Sequence, residues 1–443
     1  MGLFDKLFGS FLKKEEGPKI RFGRFSEIYK TPIQLQAWKN AFKAFEEKNY
    51  SQSYHQFLDY LNDPNQDNVK YQEEEGVLTF EILQGSKKIV GKADQEKIKA
   101  EIKVVHCKQL NVGFMRRLLD FNFGLKHSKF TLNESNDICM KFDSFVIDSS
   151  PFKLYAGLKE MATKSDKMDD LLLDEFEMLE AIDNEHIESL PEQEIEVKYT
   201  FMHKWYDETL AKVKKLHPTK DAVSISIILR YFIYKLDYLI QPEGFLMELL
   251  EKCHNIYYAR DNQSAEKKNS LVLKELQEIK KRSREEFNKE LYKVPATFGI
   301  TAPVDHDWVV GAIDSEIAGF DWYLNNHQED MAVELGGFIA AYSLFNFSIP
   351  QPDREYFHLV LEVLEADYFE ALGFNELFYD KKTEKFDRSA IKSEMYSIEK
   401  SNREKFPKID VDAGKLRYKS LPLFIKSLLL LIKSLDLTPD NLH

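Results

Sequence analysis

The sequence predicts an α+β domain, a small antiparallel sheet packed with helices, followed by an all-α domain. Apolar residues alternate with period two only between positions 77 and 145, and helical spacing governs most of the rest. An acidic stretch separates the two regimes, and 443 residues are enough for two or three buried cores. The expected boundaries are 1–20 for an amphipathic N-terminal helix, 21–185 for the α+β domain with its helical lead-in and 186–198 for an acidic linker. A helical domain follows over 199–375, and 376–443 form a charged segment ending in an apolar helix.

Within residues 1–12, Leu3, Phe4, Leu7, Phe8, Phe11 and Leu12 fall on one helical stripe opposite Asp5, Lys6 and Ser10. Such a stripe docks on its own protein, on a partner or on a membrane surface. Over 32–64, Ala37, Ala41, Ala44, Tyr50, Ser53, Phe57 and Pro64 are spaced as in one tetratricopeptide unit, which predicts a helix pair; no second copy follows. Leu78, Phe80 and Ile82 alternate with Thr79 and Glu81, and Gln84-Gly85-Ser86 turns the chain into a strand over 87–90. Ile98, Ala100, Ile102 and Val104 then point one way and Lys99, Glu101 and Lys103 the other, giving a third strand with one wet face.

Asn111 is placed to cap a short helix with Val112, Met115, Leu118 and Leu119 on its apolar side. Phe130 and Leu132, a turn at 133–136, and Ile138, Met140 and Phe142 predict a second hairpin. Ser150-Pro151 opens the next helix, whose stripe runs through Tyr155, Leu158, Met161 or Ala162, Met168, Leu172, Phe176 and Leu179. The order is helix, three strands, helix, two strands, helix.

That order is also the order of the small type III secretion chaperones and the related YbjN-type bacterial proteins. Leu118-Leu119-Asp120-Phe121-Asn122 is similar to the family's Leu-Leu-x-x-Asn turn. The strand SKFTLNES at 128–135 resembles the first strand of its second hairpin, and the helix bearing Ala162, Asp166 and Asp169 resembles its last. The resemblance covers 50–185 and implies a bacterial, non-enzymatic chaperone or adaptor that binds a client protein and is open to homodimerisation. An extended client would add main-chain hydrogen bonds to a sheet edge while its side chains enter apolar grooves. The expected client contacts are Leu78, Phe80 and Ile82 on the first strand, with Phe57 and Leu58 on the preceding helix.

Residues 169–196 contain twelve acidic side chains and no Lys or Arg, the composition of a solvated linker or of a strip that docks a basic client. Helical patterns then run from 201 to 371, broken at His217-Pro218, Pro242-Glu243-Gly244, Asn325-Asn326 and Pro350-Gln351-Pro352. Over 271–291 the pattern is one charged helix, relieved by Leu273, Leu276, Ile279 and Phe287, that lies on the surface or pairs with another helix. Residues 376–419 show no clear order, whereas 421–435 are so apolar all round that they return to a core or enter a partner.

Composition narrows the function. A net charge of −13 repels nucleic acid and favours a basic or polar client. Lys426 and Lys433 interrupt the longest apolar stretch, so no run of about 18 apolar residues spans a membrane. Cys107, Cys139 and Cys253 lie far apart, as buried thiols of a cytoplasmic protein do, and 1–12 lack the layout of a secretory signal. With no phosphate-binding glycine loop, H-E-x-x-H or G-x-S-x-G, no cofactor is expected.

The one metal-like pattern is Glu-x-x-His, at Glu251/His254 and Glu355/His358. With Glu316 and Glu334 these would make a di-iron site, the basis of an alternative reading as a metal-dependent enzyme. The plainer reading leaves these histidines satisfied on their helices and no metal bound. Asp305-His306-Asp307 fits a helix cap, with an acid–base site as the alternative. Trp205, Trp308 and Trp322 are expected in the helical core, with a pocket wall as the alternative for Trp308. A third functional reading is a structural scaffold of a secretion or defence apparatus, attached through 1–12 and 421–435.

Overall fold

Residues 18–23, 30–63, 67–110, 112–294 and 304–438 are described by the structure, a computed structural model. The amphipathic segment 1–12, the capping Asn111 and the closing Pro64 lie outside the described residues. Two separate apolar cores divide the chain, one built from residues 41–179 and the other from Phe22 and residues 190–437.

The first core opens with a helix pair, α1 (Pro32–Glu46) and α2 (Tyr50–Leu61). Thr31 and Gln34 form a capping box on α1, and the Ser53 hydroxyl donates to Ala41 O at 2.7 Å where the helices cross. Four strands follow, β1 (Val69–Glu74), β2 (Val77–Gln84), β3 (Lys87–Ala93) and β4 (Lys97–Cys107), then α3 (Val112–Phe123), β5 (Lys129–Leu132) and β6 (Asp137–Phe145). The antiparallel sheet runs β1-β2-β3-β4-β6-β5. β2 and β4 bury alternate residues as their period-two patterns predict. The long helix α4 (Pro151–Glu175), capped by Ser150, crosses the inner face, and β7 (Leu179–Ala181) adds to the end of β4.

Three local expectations are corrected. Four strands precede α3, because the edge strand β1 (VKYQEE) exposes most of its side chains and offers little alternation to read. α3 turns a different face inward: Phe114 and Leu118 are buried while Val112 and Leu119 are exposed. The acidic stretch is ordered, since β8 (Glu188–Ser189) pairs with β9 (Tyr292–Lys293) and α5 (Glu192–Val213) begins inside it. Several of its twelve charges meet cations distant in sequence: Lys87 holds Asp169, Arg282 holds Asp174, Lys108 holds Glu180, and Arg284 holds Glu192 and Glu196.

The second core continues with α6 (Ala222–Leu239), α7 (Gly244–Tyr258), α8 (Ala265–Leu276), α9 (Arg284–Lys289), α10 (His306–Asn325), α11 (Glu329–Asn346), α12 (Gln351–Leu364), α13 (Ala366–Ala371), α14 (Arg388–Asn402) and α15 (Leu421–Lys433). The single helix expected over 271–291 is broken by a 3-10 turn at Gln277–Lys281 and restarted by the Ser283/Glu286 capping box. Residues 376–419 are ordered: β10 (Tyr379–Asp380) pairs with β11 (Lys385–Phe386), and α14 buries Ile391, Met395 and Ile398. Helix α15 returns to the core against α10, α11 and α12, and its interrupting lysines pair with Asp321 and Asp314 of α10.

Helices α6 and α11 form the centre, and the Gly336-Gly337 pair brings α11 against its neighbours. A Cβ on Gly337 would sit 2.4 Å from the Tyr231 ring of α6, and one on Gly336 2.4 Å from Ile425 of α15. Gly337→Val is therefore expected to cost about 1–3 kcal/mol through overpacking. A fall in the thermal unfolding midpoint reads this directly; an unchanged midpoint would show that Tyr231 yields.

Candidate functional site

The five expected client contacts are core residues. Leu78, Phe80, Ile82, Phe57 and Leu58 are each at most 2% exposed and pack in the first core. Nor is β2 a sheet edge, because β1 pairs with its residues Val77 to Ile82 on one side and β3 lies on the other. The predicted alternation was right, but the same pattern that makes a strand amphipathic also sends its apolar side into the domain interior. β1 itself is tied to α2 by Ser51 and His55 donating to Glu73, and by its Tyr71 hydroxyl donating to Asp59.

An exposed apolar stripe lies instead on α3, one of several places where large apolar side chains reach solvent, with Ile33, Ile147 and Phe152 among the others. Val112 and Leu119 are each 69% exposed and Phe123 is 95% exposed, at spacings of seven and four residues that place them on one stripe. Arg116 lies on the same stripe and makes no ion pair among the described residues. The helix is held rigidly from its other side. Phe114 meets Phe176 edge-on, Phe121 meets Phe130, and Asn122 bonds both the N–H and the carbonyl of Phe130 at 2.6 and 3.0 Å. Beyond its end, Glu160 of α4 accepts the N–H groups of Lys126, His127 and Ser128 and the Ser128 hydroxyl. Burial pushes the Glu160 carboxyl up, but these four donors outweigh it and hold it below its usual value.

The seam between the two cores is the second polar concentration. Lys87 of β3 is fully buried and donates to Val104 O, Ile182 O and Asn184 Oδ1 at 3.0–3.2 Å, with Asp169 at 3.0 Å. Asp166, one turn earlier on α4, accepts from Gln84 Nε2 and from the Ser86 N–H and hydroxyl. The turn allows this because Gly85 has a φ of +52°, and a Cβ there would fall 1.9 Å from the Asp166 carboxylate. Across the seam, Tyr292 donates to Asp170 at 2.8 Å, Lys167 pairs with Glu248 and Glu251 of α7, and Arg282 pairs with Asp174 and Glu290. Two cavities of about 200 and 390 Å³ meet at Gln84, Asp166 and Met247.

The Glu-x-x-His pairs are not brought together. His254 Nδ1 contacts the Tyr234 hydroxyl at 2.9 Å, and Glu251 is taken by Lys167. His358 contacts Tyr238, and burial pushes its pKa down to about 3; Glu355 accepts from Asn402. Glu334 pairs with Lys212 of α5. Among the described residues no group of three or more His, Cys, Asp or Glu is placed to hold a metal ion. Asp305 caps α10 by accepting from Trp308 N, and His306 meets the buried Asp353 at 2.9 Å. Trp205 is core and Trp308 packs on Phe347, whereas Trp322 is largely exposed. The three cysteines are buried free thiols, and burial pushes those of Cys139 and Cys253 up to about 12.

No helix among the described residues is long and apolar enough to cross a membrane. No family model matches the chain, and no curated protein matches its sequence.

Proposed function

We propose that the protein is a non-enzymatic, chaperone-like adaptor that holds an acidic amphipathic segment of a partner protein on α3. The exposed stripe Val112, Leu119 and Phe123 carries this reading. Three large apolar side chains presented together by a helix locked from behind are an anchor surface, since aromatic and aliphatic anchors supply most of the energy of such interfaces. Residues 108–129 contain five Lys and Arg against one Asp, in a chain of net charge −13. Lys108, Arg117 and Lys129 pair with Glu180, Glu175 and Asp143, so Arg116 and Lys126 are left to favour an acidic partner, opposite in sign to the one the whole chain would attract. Apart from the added strand β1, the element order resembles that of the type III secretion chaperones and YbjN-type proteins, and this resemblance supports a binding role.

The test uses a fluorescent amphipathic helix of Leu and Glu, its Leu and Lys counterpart, and anionic phospholipid vesicles. The acidic peptide is expected to bind in a salt-dependent manner, with Leu119→Asp and Phe123→Asp each weakening it about 30-fold or more. Both positions are exposed, so thermal stability should not change. Equal binding of the basic peptide, insensitivity to both substitutions, or binding to the vesicles alone would overturn the assignment.

A further inference from the structure

The seam between the domains holds more carboxylates than cations. Helix α4 contributes Asp166, Asp169, Asp170 and Asp174. The second domain brings Glu243 and Glu290 to these, Glu248 and Glu251 to Lys167, and Glu286 to Arg282. Among the described residues Lys87, Lys167 and Arg282 pair with members of this set. Along the cavity walls, Lys19, Arg21, Lys198, Lys293 and Glu194 share one cavity with Asp166, while Lys159, Lys164, Asp237 and His254 share the other. Within the described residues Asp169 Oδ1 and Glu290 Oε2 are buried without a hydrogen-bond partner. Asp169 and Glu290 are buried and Asp166 and Asp170 half-buried beside them, with Lys87 bonded to Asp169 and Arg282 to Glu290. Packing these four carboxyls together is unfavourable unless some are neutral.

We propose that the seam is a proton-binding site: closure of the second domain onto the first takes up protons from solvent on Asp166, Asp170 and Glu290, and their release loosens the contact. The three titrate as a coupled set rather than one by one. Burial, reinforced by Asp169, pushes Asp166 up to about 6 despite its bonds to Gln84 and Ser86. Burial pushes Asp170 well above its usual value, with Asp169, Glu243 and Asp166 adding to it and Tyr292 opposing. Burial pushes Glu290 up to about 7 against the pull of Arg282. A carboxyl raised in the closed form favours closure while protonated, so that contribution is full at low pH and lost as pH rises through about 6 to 7.

The experiment follows urea unfolding and the small-angle scattering radius of the full chain from about pH 5 to about pH 8. The parent is expected to lose stability across this window with a slope of about one to two protons and to expand at the upper end. Asp170→Asn with Glu290→Gln, which keeps acceptors for Tyr292 and Arg282, should at least halve the slope and remove the expansion. Asp166→Asn is the companion variant, read in the same way should the double variant fail to fold. A slope unchanged by these substitutions, or a parent whose stability is flat or rises over the window, overturns the proposal.

Discussion

Replacing Lys87 with methionine is expected to destabilise the first domain by about 3–5 kcal/mol, the range for removing one partner of a buried ion pair. The loss has a geometric origin. The ammonium is fully buried and ties together four parts of the chain: its own strand β3, Val104 on β4, the 182–184 loop and Asp169 on α4. Methionine fills the same volume but leaves Asp169 without its cation, beside the Ser86 hydroxyl and the Asp170 N–H, and strands the buried Val104 and half-buried Ile182 carbonyls. Asp169→Asn should cost less, because Lys87 keeps its three neutral acceptors. A Lys87→Met/Asp169→Leu double variant should recover part of the loss, as buried ion pairs often do when both members become apolar. Burial already raises the Asp169 carboxyl, and removing its cation raises it further. The variant's deficit is therefore largest above that raised pKa and shrinks as pH falls through it. Urea unfolding followed by circular dichroism measures both effects; a loss below about 1 kcal/mol would mean that Lys87 is not the clamp its geometry describes.

Lys87 also shows what the sequence could and could not reveal. In Lys87-Lys88-Ile89-Val90 the first lysine shares the phase of Ile89, Gly91 and Ala93, so the strand pattern alone placed a charge inside. Its partner was legible in the same way, since Asp169 falls on the stripe of Leu158, Ala162, Ser165 and Leu172 on α4. Neither pattern says that the two meet, because that depends on how the helix crosses the sheet. β2, β4 and the β5–β6 hairpin were readable because one face of each is apolar at a fixed period, and α15 because it is apolar all round. α3 misled because it is apolar on two sides, with Phe114, Leu118 and Phe121 inward and Val112, Leu119 and Phe123 outward. That doubled pattern was itself the available signal for an exposed apolar face. The acidic run at 169–196 misled for a different reason: composition counts local charge, whereas order there comes from Lys87, Arg282 and Arg284, distant in sequence.

The second large effect is expected in the helical core, from Glu365→Gln. Glu365 sits between α12 and α13 and accepts from the Tyr231 hydroxyl at 2.9 Å and from Lys235 at 2.8 Å, with Lys381 at 3.7 Å. Burial pushes its carboxyl up, but Lys235 and Lys381 outweigh this and hold it below its usual value. Lys235 is enclosed by the Trp205 and Tyr231 rings at 4.5 and 4.8 Å, and burial pulls its pKa down even with Glu365 present. Glutamine keeps an acceptor but removes the charge, leaving a buried ammonium that costs about 3–5 kcal/mol. Lys235→Met should cost less, because Glu365 retains Lys381 and Tyr231. The order of the two losses therefore tests whether the network or the single pair matters. The pH response separates charge from packing. A lysine whose pKa is lower folded than unfolded binds fewer protons in the folded state, so stability rises with pH between the two values. In the glutamine variant this rise should begin at lower pH than in the parent. Guanidinium unfolding followed by tryptophan fluorescence, repeated from neutral to alkaline pH, reads it. A large but pH-independent loss would assign the effect to packing around Trp205 instead of to the stranded charge.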